Sequence, residues 1–405
     1  MLRVNAIHPV CGSVPAAHSA NADDPTFAQT ERCGDSAAMT ALIALVAGAR
    51  PNFMKIAPIA RALDRARERF FYQIVHTGQH YDDDMNAVFL RELGIPEPSV
   101  FLHGGGGSHA QQTARIMIGF EEYCETARPN MVMVVGDVNS TLACAVVAKK
   151  LNLSVAHVEA GLRSRDRTMP EEINRLVTDA ISDWFFVTEP EGVSNLLSEG
   201  HQPERIRHVG HVMVDNLLFQ KGKLEAGDGA GMATAALKAS LRRYGVVTLH
   251  RPSNVDDRET FARILSALKC LASELPLVFP LHPRTRKQME MFELDPGPNI
   301  HMLPPLSYME FLNLWMNAVM VLTDSGGIQE ETTALGVPCL TLRENTERPI
   351  TLAEGTNVLV GTDPSRIGAE ARRILDGGRR PGRCPALWDG HAAERIVAVL
   401  RDVVS

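Results

Sequence analysis

From Ala41 onward, two series of about six short runs rich in Val, Ile, Leu and Phe alternate with longer stretches of helical period. Runs that are apolar on both faces suit strands covered by helices on either side, so the alternation predicts an α/β fold built on parallel sheets. The first series reads ALIALVAG from Ala41, FYQIVHTG from Phe71, MVMVVGD from Met131, SVAHVEAG from Ser154, WFFVTEP from Trp184 and IRHVG from Ile206. The second reads YGVVTLHR from Tyr244, LPLVFPLHP from Leu275, NIHMLPPL from Asn299, AVMVLTDSGG from Ala318, PCLTLREN from Pro338 and NVLVGTD from Asn357. Between them GDGAGMATAA, from Gly227, reads as surface chain flanking a domain junction. The last stretch carries Ile396, Val397, Leu400 and Val403 at helical spacing and should bury one face.

Two doubly wound domains are therefore expected, over residues 39–209 and 210–389, with a closing helix at 390–405 that is expected to pack back on the first, although periodicity itself does not identify its partner. Residues 1–38 lack periodicity and read as an unpacked extension, or as chain ahead of a true start at Met39. With 45% apolar and 22% charged residues the chain is globular in composition. A net charge of −7 provides no diffuse basic field, so nucleic acid and membrane surfaces are not expected partners.

The seven cysteines are odd in number and scattered without a C-x-x-C pair, which suits a reducing compartment. No apolar run reaches the roughly 20 residues of a membrane span, and a cytoplasmic protein is expected. No metal motif, nucleophile elbow or G-x-G-x-x-G turn is present, so neither a metal nor a dinucleotide cofactor is expected. The glycine run at Gly104 to Gly107 lacks the Lys-Ser/Thr of a phosphate loop and reads as a flexible loop.

Ligands of doubly wound sheets bind beyond the carboxyl ends of the strands, so polar residues there are the first candidates. In the first series these are Arg50, Gln79, His80, Asp137 and Glu159, with Glu171 and Glu172 opening a helix just after Pro170. Helix capping alone would explain Asp137, and favourable first-turn charge would explain Glu171 and Glu172. Glu159, between an apolar strand and Gly161, has no evident solvated face. In the second series, Ser325, Gly326 and Gly327 follow a strand and open a helix, an arrangement whose N–H groups could hold a diphosphate. Glu330 and Glu331 follow and could accept bonds from ribose hydroxyls. His250 beside Arg251 pairs proton-transfer capacity with an anion-binding guanidinium, and His282 ends the neighbouring strand run.

Taken in order, GARPNFMKIAPI at Gly48, TGQHYD at Thr77, GDVNST at Gly136, HVEAGLR at His157, MPEEINR at Met169, TLHR at Thr248, TDSGGIQEE at Thr323 and NTERPIT at Asn345 resemble the non-hydrolysing bacterial UDP-N-acetylglucosamine 2-epimerases. The resemblance implies a GT-B fold of two Rossmann-like domains with the active site in the cleft between them. It also implies interconversion of UDP-GlcNAc and UDP-ManNAc through elimination of UDP, a glycal intermediate and re-addition, without a cofactor. By motif, Asp137, Glu159, Glu171 and His250 match the family's catalytic group. Glu159 and Asp137 are expected to move the proton at carbon 2, and Glu171 and His250 to assist the leaving group.

Arg50, Lys55 and Arg348 match basic positions near the diphosphate. Ser325, Gly326 and Gly327 match its phosphate turn, Glu331 its ribose contact, and Phe311 its uracil pocket. Gln79, His80, Arg175, Arg251 and His282 complete the substrate-binding set, and a homodimer is implied. Tyr81 and Asp82 stand where some members carry an Arg and Gln that hold a second, regulatory UDP-GlcNAc, which argues against that regulation here. Three alternatives stay open: a 2-epimerase of UDP-2,3-diacetamido-2,3-dideoxyhexuronate, a hydrolysing epimerase releasing ManNAc and UDP, and a non-catalytic nucleotide-sugar sensor.

Overall fold

The structure, a computed structural model, describes residues 40–79, 87–229, 231–378 and 382–404. The expectations for residues 1–38, for His80 and for Tyr81 and Asp82 lie outside them. The described chain forms two wholly parallel sheets with helices on both faces. The first holds β1 (Ala41–Ala47), β2 (Phe70–His76), β3 (Val100–Phe101), β4 (Met131–Val135), β5 (Ser154–Val158), β6 (Trp184–Val187) and β7 (Ile206–His208), ordered β3-β2-β1-β4-β5-β6-β7. The second holds β8 (Gly245–Thr248), β9 (Leu277–Pro280), β10 (Ile300–Leu303), β11 (Val321–Thr323), β12 (Cys339–Thr341) and β13 (Asn357–Leu359), ordered β10-β9-β8-β11-β12-β13.

Each sheet reverses direction beside its first strand, at β1/β4 and at β8/β11, and the crevice outside the strand ends at such a reversal is where ligands sit. Strand alternation divides the cores. Ile43, Leu45, Met131, Met133 and Val135 enter the core on one face of the first sheet, and Ala44, Val46, Val132 and Val134 the core on the other. β8 and β9 do the same in the second sheet, with Val247, Leu277 and Phe279 on one side and Val246 and Val278 on the other.

Periodicity misses β3, a two-residue edge strand too short to leave a pattern. GDGAGMATAA, expected as surface chain at a domain junction, lies between β7 and β8 with its described residues exposed or half-buried except Thr234, and part of it begins the helix Ala233–Leu241, where alanine's high helix propensity outweighs the preceding glycines.

The helix Val212–Lys223 joins the two halves: Val212 and Met213 lie in a core of the first sheet and Leu217 in one of the second. The last helix, Ala392–Val403, inserts Ile396, Val397 and Leu400 into the first-sheet core beside the helix Arg50–Asp64. Its N-terminus is capped by a distant residue, Asp215, whose carboxylate accepts from the N–H groups of Ala392 (3.1 Å) and Ala393 (2.7 Å). No helix among the described residues is long and apolar enough to cross a membrane. Leu400→Ala, at a fully buried site, should cost about 2–5 kcal/mol, read as a lower denaturant midpoint for loss of the first-sheet core.

Candidate functional site

Glu159 follows β5 with φ of 72°, a left-handed conformation that costs a non-glycine residue on the order of 1 kcal/mol. Its carboxylate is buried and meets the Lys55 ammonium, presented by the first helix, on one oxygen. Gly136, with φ of 66°, makes that approach possible, because a Cβ there would stand 2.8 Å from Lys55 Nζ. Arg348 reaches the other Glu159 oxygen at 3.8 Å. Burial would raise the Glu159 carboxyl, and Glu330 adds to that, but Lys55, Arg348 and His211 outweigh both and hold it below the ordinary range. The site thus keeps a buried carboxylate ionised.

Asp137, at the turn after β4, does not cap the following helix, whose cap is Val138. It accepts instead from Arg175 Nη2 (2.6 Å) and Nε (3.1 Å). Arg175 also donates to Glu172 (2.7 Å), which accepts from the N–H groups of Ser164 and Arg165 (both 2.9 Å). Glu172 is the buried structural acid, while Glu171 is exposed and lines a cavity of about 270 Å³ with Asp137, Gln79, His109, Gln112, Asn139 and Asn174. Gln79 Oε1 accepts from Ser140 N (2.9 Å) and Oγ (2.7 Å). The glycine loop beside this cavity is pinned rather than loose: Gly104 N donates to Thr77 O (2.7 Å), and Arg115 donates to the Gly105 carbonyl (2.8 Å).

From the second sheet, the buried Asp324 organises the end of β8. It accepts from the N–H groups of His250 and Arg251 and from Asn254, and stands 2.9 Å from His250 Nδ1. That fixes His250, whose side chain is 39% exposed, with Nδ1 toward Asp324. Arg251 Nε donates to the Asp324 carbonyl (3.0 Å), and Arg251 Nη2 reaches Glu347 (3.3 Å). His282 caps the helix after β9 by accepting from Arg284 N, and its ring centroid is 5.7 Å from that of His250. Burial and the neighbouring His250 lower its pKa.

The glycine turn opens the helix Gly326–Leu335, and the Arg348 guanidinium lies at van der Waals distance from where a Gly326 Cβ would stand, so a guanidinium and a helix N-terminus adjoin the same space. Arg348 Nε donates to Glu330 (2.7 Å) and Nη1 pairs with Glu347 (3.2 Å). Burial would raise both acids, but Arg348 and its neighbours hold each down to about 2. His211 Nε2 lies 3.1 Å from Glu330 in a buried contact. Glu189 is pushed up to about 7 by burial and by Glu330.

A second cavity, about 250 Å³, is lined by Arg50 from the first sheet's helix and by Thr248, Leu281, His282, Tyr308 and Phe311 from the second. Tyr308 donates to Glu331 (3.0 Å), whose other oxygen is buried without a partner among the described residues. Burial pushes the Glu331 carboxyl up to about 8.

The structure thus brings Lys55, Glu159 and Arg348 into one network and pairs Asp137 with Arg175. Arg50, His282 and Phe311 line one cavity, and Gln79, Asp137 and Glu171 the other. Sequence reading assigned no site role to Asp324, Glu347, His211, Glu189 and Tyr308. Only Asp324 carried a local signal, its place between a strand and the glycine turn.

Two Rossmann-like sheets whose strand ends bring together carboxylates, a histidine and a glycine turn at a helix N-terminus define a GT-B-type nucleotide-sugar protein. The family model for UDP-N-acetylglucosamine 2-epimerase matches residues 61–401, and the chain belongs to that family. It is 39% identical over 364 residues to the UDP-N-acetylglucosamine 2-epimerase of Methanocaldococcus jannaschii, covering 88% of this chain and 98% of the relative. The crystal structure of the M. jannaschii enzyme with UDP-GlcNAc and UDP superposes with a TM-score of 0.79, over 89% of this chain and 99% of that one. The UDP-2,3-diacetamido-2,3-dideoxy-D-glucuronate 2-epimerase of Pseudomonas aeruginosa is also 39% identical, over 336 residues, 82% of this chain and 92% of the relative.

Lys55→Met should leave burial and Glu330 unopposed on that side of Glu159. The carboxyl should then titrate higher than in the unaltered chain, seen by carbon NMR of labelled glutamate; an unchanged titration would show that Lys55 is not its main counter-charge.

Proposed function

We propose that this chain interconverts UDP-GlcNAc and UDP-ManNAc by eliminating and re-adding UDP. The observation that carries the mechanism is the ionised, buried Glu159 between Lys55 and Arg348. A buried carboxylate kept unprotonated at neutral pH is available to accept the carbon 2 proton. As the C–H electron pair forms the C1=C2 bond, the C1–O bond breaks and its pair goes to the β-phosphate of UDP, leaving a 2-acetamidoglucal. Return of a proton to carbon 2 from the other face, with re-addition of UDP at carbon 1, gives the epimer without net hydrolysis.

In this reading Asp137 carries the second proton on the opposite face, and its pairing with Arg175 supports a defined position there. Glu171 and His250 assist departure and return of UDP. Arg348 and Arg251, with Ser325, Gly326 and Gly327 at the helix N-terminus, receive the diphosphate as its charge grows. Arg50 and Lys55 add positive charge from the first sheet. The cavity of Phe311, Tyr308 and His282 takes the nucleoside, with Glu331 on the ribose. Residues 39–209 and 210–389 act as the two halves that close on the nucleotide, and a homodimer is the expected assembly.

The cavity beside Asp137 and Glu171 has no Lys or Arg among its described lining residues. A hexuronate carboxylate there would face two acids, which favours the neutral hexosamine.

In deuterated water the enzyme should convert UDP-GlcNAc to UDP-linked ManNAc carrying deuterium at carbon 2, followed by NMR. Free ManNAc would replace the reading with hydrolysis, and Glu159→Gln should abolish exchange while UDP still binds. The Glu331 carboxyl, raised to about 8, is protonated at neutral pH in the free protein, whereas a ribose diol donates to the carboxylate. Affinity for UDP-GlcNAc, whose diphosphate does not titrate near neutrality, should therefore rise with pH up to about 8, by at most about tenfold per unit. Calorimetry on Glu331→Gln should show a flat profile.

A further inference from the structure

We propose that His157 and Asp179 are positioning residues of the site, a buried pair that fixes the backbone from which both Asp137 and Glu159 project. The inference rests on the epimerase reading above. Both side chains are wholly buried and neither lines a described cavity. His157, inside β5, sets Nδ1 2.6 Å from Asp179 Oδ1 and Nε2 2.8 Å from the Gly136 carbonyl. Each ring nitrogen therefore faces an acceptor, and the second is the peptide oxygen immediately before Asp137.

Asp179, on the helix Pro170–Ile181, accepts from the Gly161 N–H (3.0 Å), two residues beyond Glu159, and pairs with Arg163 Nη2 (2.7 Å). His157 and Arg163 offset the burial that would otherwise raise its carboxyl.

One pair thus holds an atom in each of the two turns that present acids to the cleft. Those turns need holding. Gly136 and Gly161 both have positive φ, and between them Glu159 adopts a left-handed conformation that its own side chain disfavours. The rest of the clamp is backbone: Gly136 N donates to Val158 O (3.0 Å), and Glu159 N and Ala160 N donate to Phe186 O (2.9 and 3.2 Å). Gly161 has no room to shift toward the next helix, since a Cβ there would come within 2.4 Å of the Gly192 carbonyl. Without the Asp179 acceptor, the Gly161 N–H is left unpaired in the interior, and the cheapest relief is a peptide rotation that swings Glu159 off its line to carbon 2.

Asp179→Leu removes both acceptor oxygens at similar size and is the main test, with His157→Gln, which keeps a donor toward Gly136, as the second variant if the first fails to fold. Displacement by about 1 Å at the reacting centre costs about 100-fold, so kcat for carbon 2 exchange should fall by about that factor. The dissociation constant for UDP, held mainly by the second sheet, should stay within about twofold by the same argument of separate sites. Amide hydrogen exchange at Gly161 and Glu159 should quicken in the variant without substrate present, a readout independent of the reaction. Unchanged kcat with unchanged Gly161 protection would overturn the proposal, as would parallel loss of kcat, UDP affinity and melting temperature, which marks a purely structural pair. If the wild-type chain shows no carbon 2 exchange, the epimerase reading falls; the Gly161 exchange result then still decides whether the pair fixes the turn.

Discussion

A carboxylate taken out of water has to meet positive charge or take up a proton, and the centre of this molecule is arranged around that requirement at Glu159. Lys55 comes from the helix after β1, Arg348 from the chain after β12, and Glu330 from the helix after β11. The residues that neutralise Glu159 therefore come from both sheets, and the network that keeps it ionised also ties the two halves together. The charge requirement is in this sense a constraint on the interdomain geometry as much as on the chemistry.

The same network grades its acids. Glu330 and Glu347 face guanidinium groups and are held down to about 2, while Glu189 and Glu331, buried with fewer opposing charges, are pushed up to about 7 and about 8. Adjacent residues of one helix, Glu330 and Glu331, thus differ in protonation at neutral pH because Arg348 and His211 outweigh burial at Glu330, whereas at Glu331 burial outweighs the one hydrogen bond from Tyr308. A base at carbon 2 and an anion turn for the departing diphosphate need opposite local charge within one cleft. Arg348 joins the two: its guanidinium lies 3.8 Å from Glu159, just past the end of β5, and beside the turn that opens the helix Gly326–Leu335.

The strands were legible because burial on both faces leaves runs of Val, Ile and Leu that nothing else in a globular chain requires, and the turns after them because glycine and capping residues follow at once. The two-residue β3 was not, since an edge strand of that length has no period. Among the acids, MPEEINR does not distinguish Glu171 from Glu172: they differ by one helical step, which sends Glu172 inward to Ser164, Arg165 and Arg175 and leaves Glu171 at the cavity. His211 and Glu189 had no signal at all. Each lies past the end of a first-sheet strand, and each draws its electrostatic character from Glu330 on a second-sheet helix more than a hundred residues later.

By itself the sequence determined the α/β class, the two series of parallel strands and the strand ends where chemistry could occur, because these follow from local periodicity and from the backbone freedom of glycine. Tertiary structure alone decided which acids are ionised, which are proton-bearing and which are structural. Those properties depend on distances between side chains carried by different sheets, and on a burial that exists only once the two halves have met.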